Sequence, residues 1–144
     1  MNLKLIRPVV VLLVLTSFTD QPTALIGSWK VAESHVEKAT RSIIQSTRKD
    51  RPDLADQMDE NFPSMVEMVK SIVYTYKQDN TYEVETPQGI QKGKWELRNN
   101  GRSLWMAPDS RQPRLDSVLE LSPTSLLIIN RERGDTILYT PANK

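Results

Sequence analysis

Few side chains in this sequence are equipped for covalent chemistry. His35 is the single histidine and cysteine is absent, so a histidine-dependent triad would have to run through His35, and a cysteine nucleophile is ruled out. His35 stands among polar residues at the start of a helical pattern, where a solvent-facing or capping role accounts for it. A zinc site would need mostly carboxylates, which is not the usual ligand set. Asp53, Asp56, Asp59 and Glu60 lack the alternation and the central glycine of a calcium loop. A solvated helix face with acids near its positive end explains them. Neither a metal nor a cofactor is therefore expected. With no Gly-rich phosphate loop and no basic run interleaved with aromatics, nucleotides and nucleic acids are not expected partners either. What remains is the chemistry of binding. Trp29, Tyr74, Tyr76, Tyr82, Trp95, Met106, Asn130 and Tyr139 offer flat apolar surface, hydroxyls and one amide, and such polar groups need hydrogen-bond partners once buried. The chain reads as non-catalytic.

Strands must position that set. Tyr74 to Met106 reads as four consecutive strands with aromatics at alternating positions, the period of a half-buried sheet. A three-residue loop Gln78-Asp79-Asn80, with Asn80 left-handed, places Tyr76 opposite Tyr82 and Tyr74 opposite Val84. Pro87-Gln88-Gly89-Ile90 turns the chain again, and Asn100-Gly101 is a strong hairpin signal that pairs Leu97 with Leu104 and Trp95 with Met106. That register sends Trp105 outward. Three more strands follow a looser segment from Pro108 to Arg114: Ser117 to Leu121, Leu126 to Arg133, and Thr136 to Pro141. A Ser122–Ser125 loop pairs Leu121 with Leu126 and Leu119 with Ile128, and a Gly134-Asp135 turn pairs Asn130 with Tyr139 and Glu132 with Ile137. With Leu25 to Val31 as the first strand, about eight strands joined by tight turns predict an up-and-down antiparallel barrel, whose interior side chains just fill or which holds one small ligand.

Between the first and second strands the period changes. Val36, Ala39, Ile43, Ile44 and Thr47 recur at helical spacing up to Arg51-Pro52, and a second helix starts near Asp53 until Asn61-Phe62-Pro63 breaks or re-caps it. Residues 33–71 are thus a helical insertion.

The first residues carry Lys4 and Arg7, an apolar run from Val9 to Leu15, and small residues Ser17 and Thr19 before Asp20, the pattern of a secretory signal peptide. Residues 1–19 are expected to be removed, leaving 20–144 as one barrel domain. The apolar run is shorter than the roughly 20 residues of a membrane span. Without a lipid-acceptor cysteine the chain is not expected to be a lipoprotein, and a bacterial periplasm or secretion is the expected destination. Nineteen basic against eighteen acidic residues give a net charge of +1, which loss of Lys4 and Arg7 turns slightly negative. Such a chain has no field to steer it onto polyanions.

These residues also resemble a known family. Gly27-Ser28-Trp29 resembles the Gly-x-Trp hallmark of lipocalins, and the run from Tyr74 through Tyr82, then Gly93-Lys94-Trp95-Glu96-Leu97, Asn100-Gly101, Leu104, and Leu121 through Leu126, is similar to secreted bacterial lipocalin-like domains. The insertion replaces a shorter loop of typical lipocalins, and no Arg follows the last strand to stack on the first-strand Trp. The resemblance implies a cup closed near Trp29, open near the connection after the first strand, with the helices as a lid. It also implies a cavity for a small hydrophobic or aromatic molecule lined by the inward set. Two readings compete with that one. The barrel interior is filled by its own side chains, and a protein partner takes an outer apolar patch (Trp105, Val118, Leu127, Ile129, Leu138) or the helical insertion. Alternatively a helix of the insertion packs on that patch and covers it.

Overall fold

The computed structural model of the protein describes residues 21–142; the expected signal peptide, 1–19, lies outside the described residues. Alternating side chains are realised as eight strands: Gly27–Val31 (β1), Val73–Tyr76 (β2), Thr81–Thr86 (β3), Gly89–Arg98 (β4), Ser103–Pro108 (β5), Arg114–Ser122 (β6), Ser125–Asn130 (β7) and Asp135–Pro141 (β8). Each pairs antiparallel with the next, and β8 closes on β1. Closure leaves no unpaired edge.

The turns set the register. Asn80 adopts φ 66°, so that Tyr76 faces Tyr82 and Tyr74 faces Val84. Asn100 (φ 55°) and Gly101 (φ 79°) form the tight hairpin that pairs Leu97 with Leu104 and Trp95 with Met106. Trp105 is accordingly outside, with the Arg98 guanidinium 4.5 Å from its ring centre.

Three expectations about loops are corrected. Thr86 pairs with Gly89, so the β3–β4 connection is Pro87-Gln88 rather than a four-residue loop. At β7–β8, Asn130 pairs with Asp135 across a four-residue turn, Arg131 to Gly134. Gly134 at φ 74° supplies the left-handed position, and its N–H donates to the Asn130 carbonyl at 2.7 Å. Both shifts are even, so Asn130 and Tyr139 still point inward. The third is not. A bulge at Leu119 pairs Val118 with Ile128 and Glu120 with Leu127. Val118 therefore joins the core while Leu119 is 55% exposed, the reverse of the expected faces. One extra residue exchanges inside and outside.

The insertion forms a 3₁₀ turn (Glu33–His35) and three helices, following a short first helix α1 (Gln21–Leu25): α2 (Val36–Asp50), α3 (Pro52–Glu60) and α4 (Phe62–Ser71). Val36, Ala39, Thr40 and Ile44 make one buried stripe on α2, while proline in the first turns of α3 and α4 restarts the chain where its missing N–H is tolerated. Arg48 of α2 binds Asp56 and Asp59 of α3, and Arg41 of α2 lies over the Phe62 ring of α4 at 4.4 Å. Val36, Ala39 and Val69 belong to the same buried cluster as Trp29, Tyr76 and Tyr139. The helices also meet turns of one barrel end: α2 faces the β7–β8 turn, and Met68 of α4 accepts from Gln88 of the β3–β4 turn at 3.9 Å. They extend the interior core instead of packing on the outer row, where Leu127, Ile129 and Leu138 remain partly exposed.

Candidate functional site

Partners in an antiparallel pair share a face. Arg114 pairs with Met106 and Asp116 with Leu104, and Met106 and Leu104 are buried inside the barrel. Two opposite charges therefore point into the interior. Arg114 Nε donates to Asp116 Oδ2 at 3.0 Å, with Asp116 fully buried and the Arg114 side chain 27% exposed. The second Asp116 oxygen accepts the Arg131 backbone N–H at 3.3 Å. Among the described residues Arg114 Nη2 reaches only the Met106 sulfur, at 3.5 Å, a weak acceptor.

Four tyrosines surround this guanidinium. Tyr74 and Tyr139 meet edge to face at 5.4 Å, and Tyr76 lies against Tyr82 at 6.1 Å and Trp95 at 5.8 Å. The Tyr76 hydroxyl donates to Met106 Sδ at 3.7 Å. Among the described residues, the hydroxyls of Tyr74, Tyr82 and Tyr139 have no hydrogen-bond partner. Burial raises the phenol pKa of Tyr76, Tyr82 and Tyr139, most strongly at Tyr76 and Tyr139. Burial also opposes the charge on Arg114, but Asp116 and the neighbouring phenols outweigh it, so the pKa rises and the cation persists. For Asp116 burial outweighs Arg114 and lifts the carboxyl above its ordinary value.

The expected site residues separate into two groups. Tyr74, Tyr76, Tyr82, Tyr139 and Met106 gather around Arg114. Trp29, Trp95 and Asn130 serve the scaffold: the indoles donate to the carbonyls of Leu25 (2.8 Å) and Lys77 (3.1 Å), and Asn130 Oδ1 accepts the Arg133 N–H at 3.0 Å. Asn130 thus ties down its own turn, and Tyr139 is not its partner. Trp29, Trp95, Leu104 and Leu126 fill the end that α1 adjoins. Toward the helical end, Tyr74, Val84 and Arg114 keep partial exposure, so the inner wall is open to solvent there. A polar cleft of about 740 Å³ between α2 and the β7–β8 turn, with Lys38, Arg41 and Arg133 in its walls, flanks that end.

Among the described residues His35 meets only the neighbouring Ser34 hydroxyl, Nδ1 to Oγ 3.1 Å. Among the described residues no group of three or more His, Asp or Glu is placed to hold a metal ion, and no helix is long and apolar enough to cross a membrane.

The phenols yield a test of their enclosure. A pKa raised by folding means stability that is fully present below the ordinary phenol value near 10 and lost as pH rises through the folded value. In an alkaline absorbance titration, Tyr76 and Tyr139 should ionise only together with loss of near-UV circular dichroism. Reversible ionisation of Tyr76 and Tyr139 near pH 10 in a folded barrel would contradict the enclosure.

These features define a closed eight-stranded antiparallel barrel with a helical insertion at one end and a charged, tyrosine-walled interior. No protein-family model and no curated protein matches the sequence. Among solved structures, the chain is similar to a DUF4847 family protein from Bacteroides vulgatus, with a TM-score of 0.53 and 13% identity over 86% of this chain and 97% of that one. At that identity the likeness speaks for the fold alone.

Proposed function

We propose that the protein is an exported, non-catalytic, lipocalin-like binding protein that takes a small, largely apolar or aromatic molecule into the helical end of its barrel. The observation that carries this reading is the inner wall left open at the helical end, where Tyr74, Val84 and Arg114 keep partial exposure and, among the described residues, the Arg114 fork and the hydroxyls of Tyr74, Tyr82 and Tyr139 make no hydrogen bond to protein oxygen or nitrogen beyond Asp116. These donors are reached by solvent, since among the described residues the buried side-chain N or O atom without a partner is Asp135 Oδ2, and a ligand entering from the partly exposed side would meet them directly. The same groups favour binding over catalysis. Buried phenols held protonated and a guanidinium held charged donate hydrogen bonds at neutral pH, and neither takes up a proton as a general base does.

Native mass spectrometry of the exported protein, purified from its own host, tests the reading. A co-purifying small molecule released by denaturation is the expected result, together with an N-terminus near Asp20. A ligand-free barrel that co-purifies only with a protein partner would replace this reading with that of an envelope interaction protein.

A further inference from the structure

We propose that a pocket on the outer face of the barrel, walled by the Trp105 indole and the β2–β3 turn, binds the pyranose ring of a neutral saccharide. The proposal goes beyond the reading above and does not depend on the barrel interior. The outward row of β4 runs Lys94, Glu96, Arg98, and the register sets Trp105 opposite Glu96, the middle of the three. Arg98 lies over the ring at 4.5 Å and is itself held by Glu96 at 2.9 Å. On the Lys94 side opens a pocket of about 310 Å³, whose walls include Trp105, Lys94, Glu96, Asp79 and Asn80 but not Arg98. The cation therefore takes one face of the ring and holds it in place, while the other face looks into the pocket.

The opposite wall is fixed as firmly. The Trp95 backbone N–H donates to the Asn80 carbonyl at 2.9 Å and its indole to the Lys77 carbonyl at 3.1 Å, which pins the turn onto β4. Asp79 Oδ1 accepts the Thr81 N–H at 3.0 Å and the Thr81 hydroxyl as well. Walls already set cost little ordering on binding. Among the described residues, Asp79 Oδ2, Glu96 Oε1, the Asn80 side-chain amide, the Lys94 ammonium and the Trp105 indole N–H have no hydrogen-bond partner in the protein. Free acceptors and free donors thus surround one flat apolar surface. A sugar answers both: its ring C–H groups cover the indole, and each of its hydroxyls donates and accepts at once. An apolar molecule would strip water from those polar groups and return no hydrogen bond. An anion meets two carboxylates, and a cation meets Lys94 and Arg98. A pyranose with equatorial hydroxyls has the flattest C–H face, so glucose-type rings should fit best.

The test is nitrogen-15 NMR of the exported protein without its leader, which resolves the indole N–H signals of its three tryptophans. Glucose, cellobiose, glucuronate and tetramethylammonium are titrated in turn. Glucose and cellobiose should move the Trp105 signal with a Kd on the order of 1 mM. The Trp29 indole, bonded to the Leu25 carbonyl at 2.8 Å, should stay still, and glucuronate should bind more weakly than glucose. Trp105→Ala should abolish saturation transfer from protein to cellobiose, and Trp105→Phe should keep part of it. Lys94→Ala, a change at an exposed side chain that leaves the platform intact, should weaken cellobiose by about threefold or more, the loss expected of one hydrogen bond. A Trp105 signal unmoved by either sugar at about 10 mM overturns the proposal. So does an equal response to tetramethylammonium, which would make the pocket a cation site, and so does undiminished cellobiose binding by folded Trp105→Ala. None of these outcomes bears on a molecule released from the barrel interior, so this proposal and the binding reading fail separately.

Discussion

Gly93→Ala should lower stability by about 3 kcal/mol or more, a large share of the roughly 5–15 kcal/mol that holds a domain together. A Cβ at Gly93 would lie 2.4 Å from the Ala107 carbonyl oxygen, 2.7 Å from a Tyr82 ring carbon and 2.9 Å from Pro108 Cα. Two of those three neighbours are backbone of the adjoining strand β5, so relief requires the β4–β5 ladder to part. The Tyr82 ring lies over the bare glycine, and displacing it would disturb the stack with Tyr76 at 6.1 Å. Gly27, the other glycine two residues before a tryptophan, is held for a different reason. Its φ is +137° and a Cβ there would meet nothing within 4 Å. Gly27→Ala should cost only the backbone strain, about 1–2 kcal/mol. Urea unfolding of the two variants decides the point: Gly93→Ala no worse than Gly27→Ala would mean that the close approach is not part of the barrel.

Those two glycines show how far a sequence pattern reaches. The repeated Gly-x-Trp spacing was legible, and so was the inward placement of both tryptophans. The distinct demands on each glycine depend on a neighbouring strand and on a local φ, which no spacing reports. The meander from Tyr74 to Met106 was legible in its faces, and in register at the β2–β3 and β4–β5 hairpins, because each face alternates cleanly and because Asn80 and Asn100-Gly101 carry left-handed conformations that few residues accept. Even the misread loops at Pro87 and Gly134 preserved the faces, since their shifts were even.

Strand β6 was where the chain concealed its inward charges. Counting back by twos from inward Leu121 gives Leu119, Ser117 and Leu115 as the inner row and turns Asp116 outward. The bulge at Leu119 inverts that parity, and the true inner row is Arg114, Asp116 and Val118. Charged residues at the start of a strand read as a solvated loop, and nothing local marks where a bulge falls. A signal was nevertheless present: Arg114 and Asp116 are two apart, so they share a face, and each opposes an inner residue of β5 once the strand is extended backward. The aromatic set was therefore recognised while the cation it surrounds was not.

The other large effect should come from that pair. Replacing Arg114 with methionine leaves a fully buried Asp116 with a single backbone donor, at 3.3 Å. A charge stranded in this way costs about 3–5 kcal/mol. Asp116→Leu should cost less, about 1–3 kcal/mol, because the 27% exposed Arg114 can turn toward solvent at the helical end. The double replacement removes both desolvation costs and should lie within about 2 kcal/mol of the unmodified protein. Measured as a cycle in urea, the double variant must be more stable than Arg114→Met alone; a loss equal to the sum of the singles would mean the two charges do not interact. Acidity separates the singles further. Burial already raises the Asp116 pKa, and without Arg114 the rise is larger. A carboxyl with a raised folded pKa contributes stability that is full below its unfolded value, near 4, and lost as pH climbs through the folded value. The Arg114→Met deficit should accordingly be large at pH 7 and shrink toward pH 4, whereas the Asp116→Leu deficit, with no carboxyl left at the site, should lack that recovery.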